Sequence, residues 1–136
     1  MVINVHQSKT WIFDIDSILE AKKTFAIDDM KKTLQGLKTA GKKILLISGK
    51  KRSDIEISLA KDDLLKYFEV LYCFEDAHDD FASDEYFEEF IAANLVIPEE
   101  CTFVSTKESK ADKFGFNVLL LNVDTRFSTL AKKKFK

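Results

Sequence analysis

Apolar positions along the chain fall into two kinds of pattern. Trp11-Ile12-Phe13 and Ile44-Leu45-Leu46-Ile47 are short unbroken runs, and so is Val118 to Leu121. Such runs mark strands buried on both faces of a parallel sheet. They predict strands at Lys9 to Ile15, Lys43 to Ile47, Glu69 to Phe74, Thr102 to Val104 and Asn117 to Leu121. Between them the apolar residues recur at helical spacing. Met30, Leu34, Leu37 and Ala40 form one stripe, opened by Asp28 or Asp29 as cap and stopped at Gly41. Ser53-Asp54-Ile55-Glu56 has capping-box spacing and opens a second helix carrying Ile55, Leu59 and Leu64. A third begins at Asp84, with Phe87, Phe90, Ile91 and Leu95 on its inner face.

Thr125 to Lys133 reads as a terminal helix, and Ser109 to Phe114 as a short helix at most. Ser17 to Ile27 has no strong period, and Met1 to Ser8 carries no clear pattern. Strands alternate with helices, and the crossovers are long enough for parallel pairing. The expectation is an α/β three-layer sandwich on a five-stranded parallel sheet of Rossmann type. With 136 residues it forms a single domain, residues 1–136.

Charge and cysteine usage narrow the classes. A net charge of −2 supplies no basic field for general nucleic-acid binding. Lys132-Lys133-Lys134-Phe135-Lys136 reads as a solvated end. The first ten residues lack the apolar stretch of a secretory signal, and no run is long enough to span a bilayer. Cys73 and Cys101 lie in strand-like segments and read as buried free thiols, which suits a reducing, cytoplasmic setting.

All strands of a parallel sheet end along one edge, where ligands of open α/β sheets bind. Taken in chain order, the strand-end residues are Asp14 and Asp16, then Ser48, Gly49 and Lys50. Glu75 and Asp76 follow, then Ser105, Thr106 and Lys107. On an extended chain, period-two spacing puts Asp14 and Asp16 on one side. Two acids closing an aliphatic strand are costly as mere structure. Carboxylates suit Mg²⁺, while Ser48 and Gly49 can offer a hydroxyl and backbone N–H groups to phosphate oxygens. Asp14 suits a nucleophile forming an aspartyl-phosphate, with Asp16 as general acid and then base. Around this site, Glu75, Asp76, Asp79 and Asp80 read as a solvated acidic loop, and His6 and His78 as surface residues. Phe81, Tyr86, Phe87 and Phe90 read as core.

At these residues the chain resembles the haloacid dehalogenase-like (HAD) phosphatase superfamily. The family's first motif is an apolar strand ending DxDxT or DxDxV, here Asp14-Ile15-Asp16-Ser17-Ile18. Its second is an apolar strand ending in Ser or Thr, here Ile44-Leu45-Leu46-Ile47-Ser48. Asp84-Glu85-Tyr86-Phe87 and then Leu95 to Val104 resemble the helix, turn and strand leading to its fourth motif. The likeness runs from about Lys9 to Asn122. It implies a metal set of Asp14, Asp16 and a further acid, and phosphate contacts from Ser48, Gly49 and a lysine.

The departures concern that further acid and the lysine. Where the family often has GDxxxD, this chain has Ser105-Thr106-Lys107-Glu108-Ser109-Lys110, placing Thr106 and Lys110 at the acid positions. Glu108, or Asp112, is the available substitute ligand. The third-motif lysine is missing from Phe81-Ala82-Ser83, leaving Lys107 or Lys110 to reach the phosphate. One unit charge at about 5 Å and an effective dielectric of about 20 is worth about 3 kcal/mol, roughly a hundredfold in Mg²⁺ affinity. The resemblance therefore implies a phosphohydrolase domain with weak Mg²⁺ binding and reduced or lost activity. No segment is long enough for a cap domain, so the open site would face a phosphorylated small molecule or macromolecule, or be covered in a homo-oligomer. One alternative is a non-catalytic domain that binds phosphate or protein. Another is a receiver-type phospho-acceptor domain, with Asp76 as acceptor.

Overall fold

The computed structural model describes residues 7–21, 27–121 and 127. The strands are β1 Thr10–Asp14, β2 Lys43–Ile47, β3 Val70–Tyr72, β4 Cys101–Ser105 and β5 Asn117–Leu120. The helices are α1 Ile15–Glu20, α2 Ile27–Thr39, α3 Arg52–Lys61 and α4 Asp84–Asn94.

All four strand pairings are parallel, in the order β3-β2-β1-β4-β5. This is the Rossmann-type order, so the five-stranded parallel sheet expected from the sequence is present. Receiver domains are wound 2-1-3-4-5, and the observed order overturns the receiver reading. The winding reverses at β1, which pairs with β2 on one side and β4 on the other. The crevice of the switch point therefore opens between the ends of β1 and β4.

The sheet is buried on both faces, which is why its strands are aliphatic without alternation. Trp11, Phe13, Ile44 and Leu46 join Met30, Leu34 and Leu37 of α2 and Ile55 and Leu59 of α3 in one core. Their neighbours in sequence, Ile12, Leu45 and Ile47, join Phe87 and Phe90 of α4 and Phe103 in the other.

Several elements differ from expectation. Ser17 to Ile27 begins not as patternless chain but within α1, whose buried residues are Ile15, Ser17 and Ile18. Six residues are too few to display a period. The capping box at Ser53 does not form. Lys51 is the N-cap of α3 without a side-chain bond, and Glu75 of a distant turn accepts the Arg52 N–H at 2.9 Å instead. Leu95, expected on the inner face of α4, is 89% exposed, because it ends the helix in a left-handed conformation (φ 53°). Ser109 to Phe114 contains a 3-10 turn at Lys110–Phe114. Gly41 ends the α2 segment with φ +77°, a conformation that suits its expected role as a stop. The terminal helix expected at Thr125 to Lys133 and the segment Met1 to Ser8 lie outside the described residues, apart from Gln7, Ser8 and Phe127. No helix among the described residues is long and apolar enough to cross a membrane.

Candidate active site at the strand ends

β1 delivers Asp14 to the crevice, and the backbone then turns directly into α1. Asp16 therefore sits in the first helical turn, not on an extended chain. The period-two argument placing both acids on one side does not apply, and each carboxylate meets a different neighbour. Asp14 is 9% exposed. Its Oδ2 accepts from the Ser105 hydroxyl at 2.9 Å, and its Oδ1 is buried with no hydrogen-bond partner among the described residues. Burial raises the Asp14 pKa above its ordinary 3.8, outweighing the hydrogen bonds from Ser105 and Ser17, and the nearby Asp16 charge adds to the rise.

Asp16 faces β2. Its Oδ1 accepts from Ser48 Oγ at 2.6 Å, and its Oδ2 accepts from the Gly49 N–H at 2.8 Å. Ser48 Oγ also accepts the Lys50 N–H at 2.9 Å. The phosphate donors expected at Ser48 and Gly49 are thus already spent on Asp16. A phosphoryl group could take them only by displacing that carboxylate.

The β4 end closes the other side with hydroxyls. Ser17 Oγ donates to the Asp14 carbonyl at 3.0 Å and lies 3.2 Å from Ser105 Oγ. The Thr106 N–H donates to Ser17 Oγ at 3.2 Å, and Thr106 Oγ1 donates to the Ser17 carbonyl at 3.1 Å. Thr106 therefore bonds back to α1 as a neutral link at the β4 end.

The lysines divide. Lys107 Nζ is 2.7 Å from Glu20 Oε2. That bond is the main reason its pKa is raised, and Asp14 and Asp16 add smaller contributions, so its charge lies within their reach. Lys110 instead lies 3.7 Å from Asp84, which also binds Lys113. Its expected role as a phosphate ligand is not met in this arrangement.

In the segment after β3, Glu75, Asp79 and Asp80 are exposed, as expected of an acidic loop, while Asp76 is half-buried. Arg52 donates to Asp76, and Asp76 also accepts the Cys73 N–H at 2.9 Å. His78 is a surface residue, as expected, and pairs with Glu89 at 3.0 Å. Phe81, expected in the core, is 38% exposed, while Tyr86 is 1% exposed.

Residues 3–110 match the family described as haloacid dehalogenase-like hydrolase. The chain belongs to the haloacid dehalogenase-like hydrolases. No curated protein matches it. Among solved structures it is similar to a dehalogenase with intermediate complex, with TM-score 0.63 and 25% identity over 69% of this chain. The match covers 43% of the dehalogenase chain, so this chain spans less than half of its length. It is also similar to a HAD phosphatase from Thermococcus onnurineus (TM-score 0.59, 20% identity, 77% of this chain and 51% of that one). A hydrolase from Streptococcus pneumoniae TIGR4 matches over 85% of this chain and 94% of its own, with TM-score 0.63 and 11% identity. At such identities these last two likenesses speak for the fold alone.

HAD phosphatases usually use Mg²⁺, and the residues of this HAD-like site do not fit that ion well. Magnesium wants near-octahedral oxygen coordination anchored by carboxylates. Here the orphaned Asp14 Oδ1 is the one oxygen of the acid pair without a hydrogen-bond donor. Among the described residues, no three His, Cys, Asp or Glu side chains cluster as a metal site. Glu108 thus does not complete a site with Asp14 and Asp16.

Ser105 was legible as a strand-end residue, Ser17 as part of the first motif and Tyr86 as core. The hydrogen bonds of Ser17 and Ser105 at this site were not, because they cross from one element to another.

Proposed function

We propose that this chain is a HAD-like phosphohydrolase domain of the aspartate-nucleophile, phosphate-monoester class, with reduced or lost turnover. One observation carries the reading. The positions that would supply the further acids hold Thr106, bonded back to Ser17, and Lys110, drawn to Asp84. What remains is a buried nucleophile, Asp14, whose Oδ1 has no hydrogen-bond donor among the described residues, and no third acid among them clusters with the pair.

In a productive complex Asp14 Oδ1 attacks phosphorus, and Asp16 protonates the leaving oxygen. Asp16 reaches that oxygen only by giving up its bonds to Ser48 and Gly49, which are then free for phosphoryl oxygens. The charge of Lys107 at the mouth supports binding of the dianion. Both the exchange of partners at Asp16 and the missing acid slow the chemistry more than the binding. The same pocket therefore also suits a non-catalytic role, holding a phosphorylated ligand without hydrolysing it. No cap is required in either role, and the open site suits a small or a macromolecular phosphate.

The test is hydrolysis of an aryl phosphate with and without Mg²⁺, beside Asp14→Asn and Thr106→Asp. Expected is turnover barely above the Asp14→Asn control, and a rise in Mg²⁺-dependent rate in Thr106→Asp. The restored charge is worth roughly a hundredfold in metal affinity at about 5 Å. Robust Asp14-dependent turnover in the wild type would overturn the reduced-activity reading. Failure to bind any phosphate would overturn both roles.

A further inference from the structure

Beside the acid pair, on the β2 and β3 side, lies a recess of about 350 Å³. Ser48 and Gly49 line it on the site side, and Phe74, Phe81 and Tyr86 supply aromatic surface. Its volume is at the lower end for ligand pockets, enough for one planar ring system. Phe74 is 60% exposed and Phe81 38% exposed, unusual for large apolar side chains flanking a polar site. Phe81 lies close against Gly49, where an added Cβ would stand 3.2 Å from its ring. Its edge meets Tyr86, with ring centroids 5.1 Å apart at 70°.

The Tyr86 hydroxyl is buried and has no hydrogen-bond partner among the described residues. Buried hydroxyls nearly always have one, so this one awaits a ligand atom or an ordered water. Burial, with the charges of Asp14 and Asp16 among its neighbours, pushes its pKa far up. It therefore stays a neutral donor, and it lies within electrostatic reach of the reacting carboxylates.

We propose that this recess is the subsite for the organic group of the ligand, and that it takes a planar aromatic group of a phosphate monoester. The proposal rests on the phosphate reading above. The ring packs on Phe74 and Phe81, a polar ring atom meets the Tyr86 hydroxyl, and the phosphoryl group lies toward Ser48, Gly49 and Asp14. Asp79 and Asp80 also line the recess and place carboxylates beside the ring. They favour a neutral or cationic ring over one that carries a second anion.

Calorimetric titration of the wild-type chain with non-hydrolysable phosphonates tests this. Phenylphosphonate is expected to bind about tenfold tighter than methylphosphonate, the scale of one well-packed ring contact. 4-Carboxyphenylphosphonate is expected to bind more weakly than phenylphosphonate. Phe81→Ala, at a half-exposed position that does not hold the core, is expected to narrow the phenyl-to-methyl gap to within about threefold. Equal affinity for the two phosphonates, or a preference that survives Phe81→Ala, overturns the subsite and leaves the phosphate reading intact. If phosphonates do not bind but benzyl alcohol does, in a manner lost in Phe81→Ala, the recess stands and the phosphate reading falls. Binding of none of these probes removes both.

Discussion

Asp14 carries two opposed demands in one side chain. As a nucleophile it needs an open oxygen, and Oδ1 has no donor. As a buried carboxylate it needs donors, and Ser105, which donates to Oδ2, supplies more than Ser17 does. Burial wins, and its pKa is raised above 3.8. A carboxyl whose pKa is higher folded than unfolded binds protons more tightly in the fold. Its favourable contribution is complete below the unfolded value and is lost as pH rises through the folded one. At pH 7 the ionised form weakens the fold. Asp14→Asn is therefore expected to melt a few degrees higher than wild type at pH 7. That advantage should close as pH falls below 3.8, the ordinary value. Thermal melts of both proteins across that range check it. A variant no more stable than wild type at pH 7 would mean that the bond from Ser105 outweighs burial.

The same residue shows what single positions disclose. Asp14 was legible because an acid closing an aliphatic strand has few structural excuses. Its relation to Asp16 was not, since the helix starts one residue earlier than strand periodicity assumes. The partners of Asp16, at Ser48 and Gly49, lie 32 and 33 positions away in sequence.

Among the elements, those governed by local chemistry were the legible ones. β2 spans the aliphatic run Lys43–Ile47 with the predicted bounds. α4 starts at Asp84 after Ser83, whose hydroxyl accepts the Tyr86 N–H at 3.1 Å. Elements set by tertiary partners were not. α3 takes its N-terminal acceptor from Glu75, beyond β3, and no reading of residues 51–56 could supply it. The cap at Ser83 also bears on function, because it fixes the turn of α4 that carries Tyr86 into the recess. Ser83→Ala is expected to lower stability by about 1 kcal/mol, the usual cost of losing a hydroxyl cap. Urea denaturation measures that loss. A loss within error would mean that Phe81 and the sheet hold this turn without the cap.

For the whole molecule, the two aliphatic faces of the sheet require cover on both sides, and from that requirement the sandwich could be read. Strand order could not be read from the same pattern, because it depends on which crossovers go left or right of β1. The pattern also understated how far the first core extends along the chain. Phe127 is fully buried in that core. Its ring stacks on Phe13 of β1 at 6.5 Å and 25°, and its carbonyl accepts from Thr33 of α2 at 3.3 Å. Phe13 immediately precedes Asp14, and its ring also makes a T-shaped contact with Phe68 at 5.9 Å. Residue 127 thus braces, from outside the sheet, the strand that presents Asp14. Phe127→Ala is expected to cost about 3–5 kcal/mol, as for other buried phenylalanines cut back to alanine. It should also weaken phosphonate binding, because the strand end that carries Asp14 loses its support. Chemical denaturation gives the first quantity and titration of the folded variant gives the second. If stability falls while phosphonate affinity stays at the wild-type value, Phe127 serves the core alone. If both fall together, the site at the switch point is held in place by the far side of the sheet.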